Sequence, residues 1–381
     1  MYDAIVLGGG PAGSAAALTL ARAGRRVALA DRGAGPAFPA GESLPPAARP
    51  LLHLLGVMDR FLAGPHRPCY GNQFAWGSDE LEEMDFLRDP NGHGWRLDRR
   101  AFDTLIRDAA GDAGAVVYHR ASISEVARVG AGRWRLAGTC AAGTLEIFAP
   151  WLLDCTGRAS WLARRQGVKR LRYDRLVGHV ALFRHAGEDA ADGGDTVTLI
   201  EAAPDGWWYT SALPGGGRIV AYLTDAGEPT GRTAAGAAGF AALLGQTRHI
   251  RARLSGCGCR LAARPWATAA HTARLERWAG EGWLAAGDAA LSFDPLSSQG
   301  IFHALASGWE AGRALAAHLS GNEDALREYE RSMRSVFAAY LGHCAAFYRQ
   351  ERRWPDSVFW SQRHNDRQFM LERAKTVKDS A

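Results

Sequence analysis

The chain has 381 residues, 47% of them hydrophobic and 22% charged, with a formal net charge of +5. That length supports a large buried core in two lobes, and the composition excludes a disordered, collagenous or disulfide-dense chain. Nearly all the basic excess is arginine, since Lys169, Lys375 and Lys378 are the only lysines, and no basic run alternates with aromatics as a nucleic-acid surface requires.

The run from Tyr2 reads as an apolar strand, followed by the turn Gly8-Gly-Gly-Pro-Ala-Gly13, an alanine-rich helix and a second strand ending at Asp31. This βαβ unit is built for a dinucleotide. Gly8 permits the tight turn, Gly10 lets the backbone approach a pyrophosphate, and Gly13 lets the helix pack against the strand. The N–H groups at the helix start, around Pro11 and Ala12, face the phosphates. Asp31, with Arg32 beside it, is placed to accept hydrogen bonds from ribose hydroxyls. The turn alone leaves NAD and FAD both open.

Residues 33–50 form a Gly/Pro-rich loop containing Gly41-Glu42-Ser43-Leu44-Pro45, and a helix is predicted over about 46–62. A second helix covers 99–113, segments 115–129 and 133–148 alternate like strands, and the short apolar strand Trp151–Cys155 runs into a turn at Gly157. From about 173 to 266 the pattern is an antiparallel sheet: 177–184, 196–203, 207–213 and 218–224 are strand-like runs, with Asp205-Gly206 and Gly215-Gly216-Gly217 as hairpin turns. Gly282–Gly287 returns as an apolar strand ending in Gly287-Asp288, and 300–320 and 324–350 are helical. The stretch 351–381 is polar and aromatic and is predicted to lie over the surface.

Of the six cysteines, only Cys257-Gly-Cys259 is clustered. No second pair stands at zinc spacing and no histidines pair as ligands, so no metal site is expected. The fold pattern begins at Tyr2 and no apolar run is long enough to span a bilayer. The expectation is therefore a cytoplasmic protein with reduced thiols, no leader and no membrane span.

Four distant segments carry a resemblance: Gly8–Gly13 with Asp31, Arg99 in Leu97-Asp-Arg-Arg-Ala-Phe-Asp103, Asp154-Cys-Thr-Gly157, and Gly287-Asp288 through Asp294-Pro295-Leu-Ser-Ser-Gln299-Gly300-Ile301. In this order and spacing they resemble the FAD framework of the single-domain aromatic hydroxylases. That family includes para-hydroxybenzoate hydroxylase, geranylgeranyl reductases and tryptophan halogenases. The resemblance implies an α/β fold, with a Rossmann-like FAD-binding domain of the glutathione-reductase type, an inserted antiparallel-sheet substrate domain and a helical C-terminus. The expected bounds are 1–70, 99–172 and 267–320 for the FAD domain, 71–98 and 173–266 for the sheet domain, and 321–381 for the C-terminal segment.

The cofactor set so implied is Gly8, Gly10, Pro11, Ala12, Gly13, Asp31, Arg32, Glu42, Ser43, Arg99, Asp154, Gly157, Gly287, Asp288, Pro295, Gln299, Gly300 and Ile301. Helix N–H groups after Pro295 would stabilise negative charge on reduced flavin. From the residues alone, Asp288 also reads as a helix cap and Arg99 as a surface ion pair. Glu42, Asp294 and Pro295 are the catalytic candidates. Glu201 and His179 are less well placed acid–base groups, and Asp294 could equally cap the turn before Pro295.

Gly41-Glu42-Ser43 before a proline is similar to the halogenase and geranylgeranyl-reductase branches. Halogenase Trp-x-Trp-x-Ile-Pro is not matched by Trp207-Trp208-Tyr209-Thr-Ser-Ala-Leu-Pro214, however, and the halogenase lysine has no counterpart. The Trp-Trp-Tyr run, the Asp294–Ile301 turn and the tail Phe347–Pro355 with Phe359-Trp360 look like the flavoproteins that mature tryptophylquinone enzymes. Those proteins serve lysine ε-oxidase, glycine oxidase and quinohemoprotein amine dehydrogenase.

This narrower resemblance implies an FAD-dependent monooxygenase. NADH or NADPH, bound transiently, or reduced flavin from a reductase would supply electrons. O2 would form a flavin C4a-hydroperoxide, and oxygen would pass to the indole of a tryptophan in a partner polypeptide. Trp207, Trp208 and Tyr209 are expected in the substrate pocket, and the aromatic tail is expected to help dock the partner. The alternatives are a hydroxylase or halogenase of a free aromatic metabolite, an isoprenoid saturase, and a flavin-binding assembly factor without turnover.

Overall fold

Val6 and Leu29 pair at the centre of a six-stranded sheet whose order is 279–280, 283–285, 151–154, 4–7, 27–31, 116–119, with only the 279–280 strand antiparallel. The strands 4–7 and 27–31 are buried along their whole length, as continuous apolar runs in a parallel sheet must be. This is a computed structural model, and it describes residues 1–33, 42–130, 132–185 and 195–365. The helix Pro11–Arg22 packs between Arg99–Asp112 and Gly300–His318. It is small enough to do so because Ala15, Ala16 and Ala17 are fully buried. Residues 122–149 form a three-stranded antiparallel meander beside this layer.

A second, larger sheet roofs the molecule. Its order is 259–261, 176–185, 218–225, 206–212, 197–203, 71–75, 82–85, with 266–269 also on the 176–185 strand. All its pairs are antiparallel except 71–75 with 197–203. The Rossmann-like FAD-type layer, the inserted sheet and the helical C-terminus are thus all present.

Several elements differ from the sequence reading. The helix expected over 46–62 is two helices, Ala48–Leu54 and Met58–Leu62, broken where Gly56 turns to φ +54°. Three short helices between 229 and 256 cover the outer face of the roof, where only sheet was expected. Their apolar residues, Phe240, Leu244 and Ile250, make a second core with Trp208 and Tyr222.

The tail is not a surface segment. Phe359 and Trp360 are 1% and 0% exposed, and Trp360 packs on Trp76 and Tyr348 while its indole N–H donates to the Ala203 carbonyl at 3.0 Å. Arg363 grips Asp225 through two hydrogen bonds of 2.7 and 2.8 Å. Aromatic side chains so enclosed cannot dock a partner; residues 366–381 lie outside the described residues. Cys257 and Cys259 form a disulfide rather than the reduced pair expected, because the turn after the helix His249–Gly256 brings their Cα atoms to 5.4 Å. Among the described residues, no helix is long and apolar enough to cross a membrane, and no group of three potential ligands could hold a metal.

Candidate active site

Between the two sheets lies a cavity of about 510 Å³. Its floor is the glycine turn. Gly8 has φ +105°, and a Cβ on it would stand 2.4 Å from the Cys155 carbonyl oxygen. On Gly13 a Cβ would stand 1.8 Å from the Gly8 oxygen. On Gly10 it would meet no protein atom within 4 Å. Two glycines are therefore demanded by the fold, and the third keeps a space clear above a helix start.

Gly10, Pro11 and Ala12 line the cavity, and no side chain caps the helix Pro11–Arg22. Its first N–H groups are left for a ligand. Asp31 stands across Gly9, where a Cβ would come 2.5 Å from the Asp31 carboxyl carbon. One Asp31 oxygen accepts from the Gly33 N–H at 3.2 Å and the other meets Arg107 at 3.1 Å. Arg107 was invisible as a site residue in the sequence, since only the packing of Arg99–Asp112 on the first layer brings it there. Arg32 is exposed and outside the cavity lining.

A second uncapped helix start faces the same cavity. Ser298 adopts φ +51°, Gln299 is the exposed N-cap, and Gly300 and Ile301 line the cavity at the head of Gly300–His318. A Cβ on Gly300 would also meet nothing. Gly287, with φ +61°, lets its strand end close on Ala12 and donates its N–H to Ser307 at 2.9 Å. Asp288 lines the cavity and pairs with Arg158 at 3.4 Å; Arg158 is a further lining residue that the sequence reading missed. Arg99 lines it too, while paired with Asp103 at 3.1 Å, so the cofactor and ion-pair readings hold together. Ser43 and Gly157 complete this side. Two open helix N-termini and a space cleared above Gly10 fit FAD; Asp31 stands behind Gly9, outside the cavity lining, with its oxygens on Gly33 and Arg107.

Asp154 does not join them. It is fully buried and accepts from the Thr156 N–H and hydroxyl and from the N–H groups of Leu162 and Ala163. Its oxygens are used up in stapling the Gly157 turn to the next helix. Asp294 is likewise committed: one oxygen accepts from Leu296 N–H at 2.9 Å and the other from the Tyr348 hydroxyl at 2.8 Å. It holds the turn into Pro295, which lines the cavity, and offers no free base. Glu201 accepts from three successive N–H groups at the head of His249–Gly256 and serves as that helix's cap. His179 is buried on the outer face of the roof beneath Gly231, and burial lowers its pKa.

The roof is the strand Gly206–Ala212. Trp207 and Tyr209 face the cavity. Trp208 faces the other way, stacked on Tyr222 at 4.7 Å and against Phe240, so its place in the substrate pocket is corrected. Strand alternation allows only every second residue on one face. The Trp207 indole N–H donates to the Tyr348 hydroxyl at 3.1 Å, which ties the roof to the Asp294 turn.

Glu42 lines the cavity and is 5% exposed. Burial pushes its carboxyl above the usual range, and Arg96 pulls it partly back. The Glu42 main-chain N–H and, more weakly, the Ser211 hydroxyl and the Arg99 charge also favour the carboxylate. Burial also drives the Tyr209 hydroxyl and the Cys155 thiol up, so both stay neutral.

A model of the FAD-binding domain family matches residues 1–209. Across 366 residues the chain is 30% identical to a protein of Marinomonas mediterranea named as the FAD-dependent oxidoreductase LodB, spanning 95% of this chain and 97% of that one. It is 26% identical to the flavin-dependent halogenase armH3 of Armillaria mellea, over 94% of this chain and 76% of that one. Among solved structures, the flavin-dependent halogenase CmlS superposes with a TM-score of 0.83 at 24% identity, over 99% of this chain and 71% of that one. QhpG, a peptidyl tryptophan dihydroxylase essential for tryptophylquinone cofactor biogenesis, superposes at 0.71 with 24% identity, over 95% and 78%. At these identities the two structures establish the fold.

Proposed function

The chain belongs to the FAD-binding domain family as an FAD-dependent oxidoreductase, and on that premise we propose that it is a monooxygenase hydroxylating the indole of a tryptophan in a partner polypeptide. The observation that carries this reading is the cavity itself, in which two open helix N-termini face an apolar chamber roofed by Trp207 and Tyr209. Bound there and reduced by NADH, NADPH or a reductase, FAD would supply the activation of O2.

The chain's own part is placement. The Gly10 and Gly300 helix starts hold negative charge. Tyr348 and Asp294 fix the Trp207 ring and the Pro295 turn in one hydrogen-bonded chain. The apolar roof keeps water from the reacting ring. LodB, alike over nearly its full length, supports the FAD-dependent oxidoreductase class, and QhpG, whose described substrate is a peptidyl tryptophan, supports the substrate class.

The many halogenase relatives favour a second reading, halogenation. Against it, Lys169 is the only lysine among the described residues and it does not line the cavity. Among the described residues no lysine amine is placed in the cavity to guide a hypohalous acid.

The test incubates holoprotein with O2, NADH or NADPH, chloride and tryptophan-bearing polypeptides encoded beside this chain. The expected result is a mass gain of one or two oxygen atoms on a tryptophan. Flavin turnover with no oxygen added to any such polypeptide would sink the proposal, and a chlorinated product would replace it with halogenation.

A further inference from the structure

Trp207, Tyr209 and Ser211 share the inner face of one strand, so they mark out the roof from end to end. At the Trp207 end, every polar group is partnered through Tyr348 and Asp294. At the Ser211 end the opposite holds. Glu42 Oε2 is buried with no partner, and it is the only carboxylate oxygen in that state among the described residues. The main-chain oxygen of Glu42 is used by the Leu97 N–H, so the loop itself is anchored at 2.7 Å and the side chain is not adrift. Behind it Arg96, 1% exposed, reaches Thr198 at 3.5 Å through one nitrogen and leaves Nε and Nη2 unpaired.

A buried acceptor left open costs free energy, and native folds almost always fill one. The Glu42 main-chain N–H and the Ser211 hydroxyl both bear on this carboxyl, yet Oε2 itself is left without a formed hydrogen bond, so that oxygen is open to a donor carried by a ligand. Val180, Ile200, Ala221 and Leu223 give the same cavity apolar walls, with Arg99, Thr198 and Tyr209 as their polar neighbours. They suit a flat apolar body that brings a single N–H. We infer that the Glu42 carboxylate accepts the ring N–H of the substrate indole, with Arg96 as a positioning residue that keeps the carboxylate charged. This rests on the indole reading above and deepens it: the contact fixes which edge of the ring turns away from Glu42 toward the rest of the cavity.

The test is binding of three probes to the holoprotein by calorimetry: indole, 1-methylindole and benzothiophene, the last two lacking the N–H. Wild type should prefer indole by about tenfold or more, since a site built around a hydrogen bond rejects the analogue that lacks it. E42L should bind indole and benzothiophene alike, and E42Q should narrow the gap. The analogue series on wild type stands even if a variant fails to fold.

Affinity for indole should fall as the pH drops through the raised pKa of Glu42, because the protonated acid is the poorer acceptor. The other groups facing it are Arg96, Arg99 and Tyr209, and Asp288, Asp294 and Arg158 share the cavity. The loss should therefore vanish in E42Q. Equal affinities for the three probes, no indole binding, or full discrimination in E42L would overturn the assignment. An enzyme that selects indole by its N–H yet adds no oxygen to any tryptophan polypeptide would sink the proposed function and leave this contact standing.

Discussion

The floor and the roof of the cavity are built on opposite principles. On the floor, steric exclusion does the work: Gly8 and Gly13 are forced by atoms already in place, and above Gly10 no protein atom fills the space. In the roof, large side chains do the work, with Trp207 and Trp208 on opposite faces and Trp360 and Tyr348 buttressing from the tail. A floor made of absences can hold a cofactor whose shape is constant. A roof made of bulk can be recut for a substrate, and at its Ser211 end it meets the open Glu42 oxygen.

The largest effect expected is Gly13→Ala, which places a methyl 1.8 Å from the Gly8 oxygen. Little folded, FAD-loaded protein should be recovered, as judged by flavin absorbance per chain. Full loading would break the account of the floor. In the roof, Trp360→Ala should destabilise the protein by about 3–5 kcal/mol, the usual cost of deleting a buried large aromatic. Urea unfolding measures it, and a change near zero would return the tail to the surface.

Gly10→Ala sharpens the contrast between the three glycines. Its new methyl touches no protein atom, so the apoprotein should melt within about 2 °C of wild type, while FAD affinity drops about tenfold or more. Unchanged affinity would show that the phosphates do not sit there. The smallest effect belongs to the link between floor and roof. Tyr348→Phe strands the Trp207 N–H and an Asp294 oxygen, which should cost about 1–3 kcal/mol. It should also raise KM for the aromatic substrate while FAD stays bound.

Much of the floor was legible in the chain because its demands are local. A glycine at a forced positive φ, a proline at the first helical position and an acid at a strand end are each set by neighbours within a few residues. The Glu42, Ser43, Arg99 and Asp288 positions were found through the resemblance, and all four line the cavity. The errors were of another kind. Asp154 and Glu201 were read as available carboxylates and are consumed by backbone N–H groups, whereas Asp294 lines the cavity and also caps the turn before Pro295, the second of its two readings. A carboxylate's residue type is the same whether it meets a ligand or a helix end, so only its partners decide.

By itself the sequence determined the nucleotide turn, the strand runs of the roof and the two long C-terminal helices, because periodicity and turn chemistry act at short range. Tertiary structure alone decided which of Trp207, Trp208 and Tyr209 face the cavity, since a strand's two faces are told apart only once one of them is covered. It also decided that the aromatic tail is core, and that Arg107 meets Asp31 from a distant helix. Finally, it decided that among the buried carboxylates of the described residues, Glu42 alone keeps an oxygen without a hydrogen bond. These outcomes depend on which distant surfaces meet, and contacts between residues far apart in the chain carry no signal in local composition.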